Sequence, residues 1–305
     1  MSGTDLAARV RALGTEFGFD SVGFARAGPV DVDTAERFRR FLREGRHAGM
    51  KYMEGRVEER LDPTRILPEA RTVIAVLLNY HRDNPTEHAQ TGKIARYAGG
   101  RDYHKVMQSR LRALKRRLEE LYPGAKVWHA VDTAPVLERY WAEKAGLGWV
   151  GKNTLLIARG FGSWTFLGVL LTSLEIPPDA PRRDHCGSCA RCLEACPTSA
   201  LLEPGVLDSG LCISYWTIEH RGELPEGADL HGWVFGCDDC QTVCPWNRFA
   251  RPTNVSEFEL GEELRRPDLV RWAALSRAEW DALTRGTALR RPGHEGWLRN
   301  CGFHF

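Results

Sequence analysis

Cys186-Gly-Ser-Cys189-Ala-Arg-Cys192-Leu-Glu-Ala-Cys196-Pro197 decides how the rest of the chain is read. Its spacing is C-x2-C-x2-C-x3-C followed by proline, the run that wraps four-iron clusters in bacterial ferredoxins. Two-residue gaps let a tight loop close three thiolates on one cubane. The three-residue gap and Pro197 turn the fourth thiolate toward a second one. Further on, Cys237-x2-Cys240-x3-Cys244-Pro245 repeats the motif without its first cysteine, and Val234 stands at that position. The lone Cys212 fills the vacancy, which gives eight thiolates, the number two [4Fe-4S] clusters require. The assignment that follows is Cys186, Cys189, Cys192 and Cys244 around cluster 1, and Cys196, Cys212, Cys237 and Cys240 around cluster 2. Two structural zinc sites are the alternative, since C-x2-C pairs also suit zinc; the paired C-x3-C-P endings argue for clusters. Cys301 is left over as a partly buried free thiol.

Outside this segment the chain has ordinary globular composition. It holds 305 residues, 27% charged and 43% hydrophobic, which excludes a disordered or fibrous whole. The net charge of +2 excludes a globally basic nucleic-acid binder, though a local basic face can hide in that sum. The start, MSGTDLAARVRALG, is charged where a secretory signal needs an apolar run. The uncharged stretch Gly160 to Leu174 falls short of the roughly 20 residues that span a bilayer. The expectation is a cytoplasmic monomer with no membrane association. In a reducing compartment, clustered cysteines bind metal rather than pair as disulfides.

The first part of the chain alternates helical and strand patterns, which predicts an α/β fold. Leu6, Val10, Leu13 and Phe17 recur at helical spacing. Ser21 to Ala25 reads as a short strand, and Arg71 to Asn79 as a buried central strand. A helix is expected over Tyr103 to Leu121, a strand over Lys126 to Val131, a helix over Ala134 to Ala145, and strands over Thr154 to Ile157 and Trp164 to Leu174. Three prolines in Ile176 to Pro181 mark a linker. The expected division is a catalytic α/β domain at 1–178, a ferredoxin-like two-cluster domain at 179–250 and a C-terminal extension at 251–305 with no helical-repeat domain.

Clusters carry electrons and need an acceptor, yet the α/β part has no G-x-G-x-x-G and no G-x4-G-K-[ST]. It also lacks D-x-H-x-x-G, in which a histidine ligates cobalt. Three separated motifs supply a different pointer. Val131-Asp132-Thr-Ala-Pro-Val-Leu-Glu-Arg-Tyr-Trp-Ala-Glu-Lys-Ala-Gly-Leu-Gly-Trp-Val-Gly-Lys-Asn-Thr-Leu-Leu-Ile157 closely resembles the epoxyqueuosine reductases. Lys93-Ile-Ala-Arg-Tyr-Ala-Gly-Gly-Arg-Asp-Tyr-His104 resembles their upstream motif, and Cys212 with Tyr215-Trp-Thr-Ile-Glu-His220 is similar to a third. The resemblance covers about residues 1 to 300. It implies cobalamin bound without a protein ligand to cobalt, two [4Fe-4S] clusters, and removal of the epoxide oxygen of epoxyqueuosine at the tRNA wobble position. It further implies an external low-potential electron donor.

By the resemblance, Asp132 is the proton donor, and such a role calls for a carboxyl pKa raised by desolvation. Placed after a strand, it is also expected at the C-terminal edge of an open α/β sheet, where ligands bind; capping the next helix is its structural alternative. Asp102, Tyr103, His104 and Arg139 are candidate substrate contacts. Arg56, Tyr97, Asp132, Lys152, Asn153, Trp216 and Glu219 are candidate cobalamin contacts, with core packing the alternative for Trp216. Lys93 to Arg117 holds nine Lys/Arg and one acid. Arg110, Arg112, Lys115, Arg116 and Arg117 make it a candidate tRNA face; Arg285, Arg290, Arg291 and Arg299 are a second. The competing functions are a cobalamin-dependent dehalogenase-like reductase and a ferredoxin module without catalytic acid.

Overall fold

In the computed structural model, which describes residues 3–83, 92–265 and 268–302, the first half runs in a set order. The elements are α1 (Gly3–Glu16), β1 (Ser21–Arg26), α2 (Val32–Arg43), β2 (Thr72–Asn79), α3 (Tyr103–Leu121), β3 (Val127–Ala130), α4 (Glu138–Lys144) and β4 (Thr165–Thr172). The four strands form one sheet in the order β1-β2-β4-β3. Every residue of β2 is buried, because both faces of the sheet are covered. Strand side chains alternate between faces. Ile74, Val76 and Leu78 therefore pack with Val10, Leu13, Leu111 and Leu118 of α1 and α3. Val73, Ala75 and Leu77 pack with Trp141 and Ala142 of α4.

The α/β class holds, and the pairing is antiparallel throughout. The edge rule for open parallel sheets therefore does not locate Asp132. What locates it is α3, whose buried stripe Val106, Met107, Leu111, Leu114 and Leu118 lies over β4 and β3. Gly168 of β4 permits this closeness: a Cβ there would stand 3.0 Å from both Met107 and Leu111. The helix expected over Ala134 to Ala145 begins only at Glu138. Pro135 disfavours helical backbone at Ala134, so residues 131–137 form a loop.

In the cysteine-rich segment, Arg191–Glu194 and Asp239–Thr242 are short helices that pack on each other. Strand Trp233–Phe235 pairs in parallel with Lys93–Ile94. Helices Leu269–Ala273, Arg277–Leu283 and Gly293–Gly302 follow. Their Trp272, Trp280 and Trp297 share a core with Ile94, Ala98, Val234 and Phe235. The three segments read from the sequence thus contribute to a common core. Cys301 is fully buried in it. Among the described residues, no helix is long and apolar enough to cross a membrane.

Candidate active site and cluster sites

The end of β3 meets the start of α3. After Ala130 the chain turns sharply: the Thr133 N–H donates to the Val131 carbonyl at 2.6 Å, with Asp132 between them at φ 55°. Left-handed backbone is uncommon for a residue with a Cβ, and such strain clusters at functional sites. Asp132 caps no helix, since α4 has Leu137 at its N-cap. Its carboxylate instead accepts from His104 Nε2 at 3.0 Å. Nδ1 of the same ring lies 2.7 Å from Asp102 Oδ1, and Asp102 caps α3 by accepting the His104 N–H at 3.1 Å. One imidazole therefore bridges two carboxylates. Tyr103 stacks on His104 at 4.0 Å and on Phe166 at 4.3 Å, and its hydroxyl donates to Asp132.

Charge decides where the proton sits. Burial alone would lower the His104 pKa, but hydrogen bonds to Asp102 and Asp132 outweigh it and raise it to about 9. The ring is an imidazolium at neutral pH and donates from both nitrogens. Burial alone would raise Asp132. The His104 imidazolium, Arg139 and the Tyr103 hydroxyl hold it below its ordinary value instead. Desolvation is the largest single influence on the Asp132 carboxyl, and the hydrogen bonds and positive charges together outweigh it. The raised carboxyl pKa expected of Asp132 is thus corrected: Asp132 is lowered, and the raised group is His104, one hydrogen bond away.

Asp132 is exposed at this junction and gathers charged and aromatic side chains from several elements around it. Its charge is felt by Tyr52, Arg60, Tyr97 and Arg291. Tyr52 is 52% exposed, and its carbonyl accepts from Arg60 Nη2 at 3.2 Å. Arg291 forks onto Glu219 through two bonds of 2.9 Å. Burial, then the Asp132 charge, pushes the Glu138 carboxyl up to about 7. Glu138 Oε1 and Arg60 Nε are buried without a partner among the described residues. Nothing in the sequence singles out Tyr52, Arg60 and Glu138, because no spacing links them.

The other expected contacts are scattered. Arg139 donates to the Thr154 carbonyl at 3.0 Å. Tyr97 packs edge-on against Tyr103 and Phe166. Arg56 points outward, paired with Glu59 at 3.1 Å. Lys152 and Asn153 engage the cysteine loops: Lys152 Nζ donates to the Gly187 and Cys189 carbonyls at 2.6 and 2.9 Å, and Asn153 to that of Cys240 at 3.4 Å. Trp216 is buried, with its indole N–H on the Gly210 carbonyl at 2.7 Å. Arg299 is consumed by the Trp216, His220 and Gly222 carbonyls and Arg290 by Asp281. On α3, Lys115 and Arg117 pair with Glu119 and Glu120.

The eight thiols fall into two groups. Burial raises Cys192 and Cys244; next, Cys192 is raised by Cys244 and Cys186, and Cys244 by Cys186 and Cys189. Burial likewise raises Cys212, Cys237 and Cys240; Cys212 is raised further by Cys196, Cys237 by Cys212 and Cys240, and Cys240 by Cys212 and Cys196. Cys244 therefore sits with the first run although it belongs to the second, and Cys196 the reverse. Among the described residues, no three His, Cys, Asp or Glu side chains converge closely enough to hold a single metal ion, as a tetrahedral zinc site requires. Cys240 also feels Cys192, so the groups adjoin. Cys237 packs in the same small core as Tyr97 and Trp216, so the second group lies on the Tyr97 side.

Two thiol quartets and an acid–imidazole site define an iron–sulfur oxidoreductase. Residues 60–133 match the family model "Epoxyqueuosine reductase QueG, DUF1730", and residues 185–247 match "4Fe-4S double cluster binding domain". The chain is 47% identical to the epoxyqueuosine reductase of Synechocystis over 88% of its own length and 95% of that protein. It is 38% identical to that of Escherichia coli over 97% and 79%. Its fold matches a crystal structure of an epoxyqueuosine reductase with an epoxyqueuosine-modified tRNA-Tyr stem loop, at TM-score 0.90 and 30% identity, covering 99% of this chain and 81% of that one. It also matches the Bacillus subtilis enzyme with its catalytic aspartate loop swung out of the active site, at TM-score 0.89 and 29% identity, with the same coverage. The chain belongs to the epoxyqueuosine reductase family. It is an oxidoreductase that reduces epoxyqueuosine and carries a double [4Fe-4S] cluster domain.

Proposed function

We propose that this enzyme acts in the cytoplasm, as a monomer, on epoxyqueuosine at the tRNA wobble position, with cobalamin at the Asp132 site and electrons from an external low-potential donor. The substrate form follows that of the tRNA-bound relative. The residues around Asp132 suit a corrin. Tyr52 and Asp132 are open to solvent. Glu138 Oε1 and Arg60 Nε have no partner among the described residues, as suits a ligand ringed by amides. Both nitrogens of His104 are engaged, so the ring is not offered to cobalt, in keeping with binding without a protein ligand. Tyr97, Glu219 and the Asp132 loop are the contacts retained for that ligand; Lys152 and Asn153 are assigned to bracing the cluster loops. Bound there, cobalamin supplies a strongly reducing cobalt centre. Cluster 1 is assigned Cys186, Cys189, Cys192 and Cys244, and cluster 2 Cys196, Cys212, Cys237 and Cys240. Cys237 packs beside Tyr97, so a cluster held by Cys196, Cys212, Cys237 and Cys240 would supply electrons on the Tyr97 side.

The overall step is epoxide plus two electrons and two protons giving alkene and water. Alkoxide charge develops as the ring opens; the His104 proton, relayed through the Asp132 carboxylate, neutralises that oxygen, and solvent supplies the second proton as water leaves. Asp102 holds the imidazole in register, and Tyr103 orients the Asp132 carboxylate. Arg139 is positioned to meet substrate or phosphate. The observation that carries this reading is the imidazolium bridging Asp102 and Asp132. Asp132→Asn keeps the size and removes the proton transfer. In single turnover with a strong chemical reductant, we expect full iron and cobalamin loading and a rate lowered by about 10²–10⁴-fold. A near-wild-type rate in the loaded variant sinks the role of Asp132.

A further inference from the structure

A cavity of about 280 Å³ holds Cys186, Cys189, Cys192 and Cys244 in its wall, and none of the other four cluster thiols. Its rim is Arg191, Arg248, Trp246, Phe249, His185 and Lys152. Of the second thiol group, Cys237 packs against the small core of Ile213, Trp216 and Tyr97, whereas all four thiols of the first group line this cavity. The rim chemistry is uneven. Residues 181–194 and 244–251 together hold five arginines and two acids, Asp184 and Glu194. Asp184 is already used, accepting the Cys186 N–H at 2.7 Å. Arg191 and Arg248 make no ion pair among the described residues. Arg248 is held instead over the Phe249 ring at 4.6 Å, and Phe249 is 55% exposed. Trp246 is braced edge-on against Trp149 at 5.0 Å, with His185 beside it at 5.7 Å. A rigid aromatic centre with arginines outside any ion pair is the composition of a protein-binding hot spot. Such uncompensated positive charge steers an acidic partner to it.

We infer that this rim is the docking face for a small acidic one-electron carrier protein, an inference resting on the assignment of the first thiol group as cluster 1. Electron transfer falls steeply with distance, and this face brings a partner against the cluster whose four thiols line the cavity. Each encounter oxidises one carrier by one electron and reduces cluster 1 by one. Two encounters supply the pair that, with two protons, turns the epoxide into alkene and water. The cavity lining includes none of Tyr97, Tyr103, His104 or Asp132, so a carrier docked there leaves the Asp132 site clear for the modified nucleotide.

The test uses the anaerobic holoenzyme mixed with reduced flavodoxin, an acidic one-electron carrier, in a stopped-flow instrument that follows cluster bleaching. For Arg191→Glu combined with Arg248→Glu, we expect bleaching slowed by about 10-fold or more at low salt and its salt dependence flattened. Dithionite should bleach the same variant at the wild-type rate, with iron content unchanged. Bleaching by flavodoxin at the wild-type rate and salt slope overturns the docking face. If Arg191→Glu lowers iron content, Arg248→Glu with Phe249→Ala, outside the cysteine loop, is read by the same criteria. A wild-type holoenzyme whose clusters dithionite fails to bleach would defeat the cluster assignment itself, which is a distinguishable result.

Discussion

In the proposed proton relay, His104 is the residue whose charge sets the pH window. Its pKa is raised from 6.5 to about 9 by Asp102 and Asp132 after burial is overcome. The imidazolium bridge therefore contributes to stability fully below about pH 6.5, and the contribution is lost as pH rises through about 9. Asp102 and Asp132 run the other way: both are held below their ordinary 3.8, so their share is present above that value and lost on acidification. We expect single-turnover rates with a chemical reductant to fall as pH climbs through about 9. His104→Gln should lower the rate at neutral pH and abolish that alkaline limb. An alkaline limb of unchanged position in His104→Gln would assign it to another group. Asp132 is legible in the sequence only through the motif around it. His104 stands out there as a neighbour of Asp102, but its bond to Asp132 is hidden, because it joins a helix start to a strand end. Tyr52, Arg60 and Glu138 are invisible for the same reason: tertiary packing alone gathers them.

Elements are legible in proportion to how strongly burial dictates them. The run at 72–79 reads as a central strand because both its faces are covered. α3 matches its expected ends, Tyr103 and Leu121, since Asp102 caps it and Pro123-Gly124 stops it. The helix after Asp132 starts later than its pattern suggests, and sheet direction is not readable, because neither leaves a periodic trace. The cysteine loops are the clearest case, spacing being the ligand geometry itself. Their crossover gives a test: Cys244→Ala should damage the cluster built on Cys186, Cys189 and Cys192. Electron paramagnetic resonance of the reduced variant should show the cluster at Cys237 and Cys240 largely intact. Loss of that second signal with the first one retained would reverse the assignment.

At the scale of the whole molecule, the proposed carrier and the tRNA use different surfaces: the cavity lined by Cys186, Cys189, Cys192 and Cys244 is one, and Asp132, beside the start of α3, is exposed at the other. Arg101 and Lys105, exposed beside that start, make no ion pair among the described residues. A cavity of about 630 Å³ brings them together with Arg285. Of the five further cations on the helix, Lys115 and Arg117 pair with its own Glu119 and Glu120. Reversing Arg101 and Lys105 should weaken binding of an epoxyqueuosine stem loop. It should also flatten the slope of log affinity against log salt by about 0.7–0.9 for each phosphate no longer neutralised. Unchanged affinity at two salt concentrations would exclude these two cations from the tRNA face. The most direct measurement is conversion itself. Anaerobically reconstituted enzyme, with and without cobalamin, is mixed with epoxyqueuosine stem loop and a strong chemical reductant, and the nucleoside is read by mass spectrometry. The expected result is about eight irons per chain and queuosine formed only when cobalamin is bound. Full loading of both clusters and cobalamin with no queuosine, or equal conversion without cobalamin, would contradict the account.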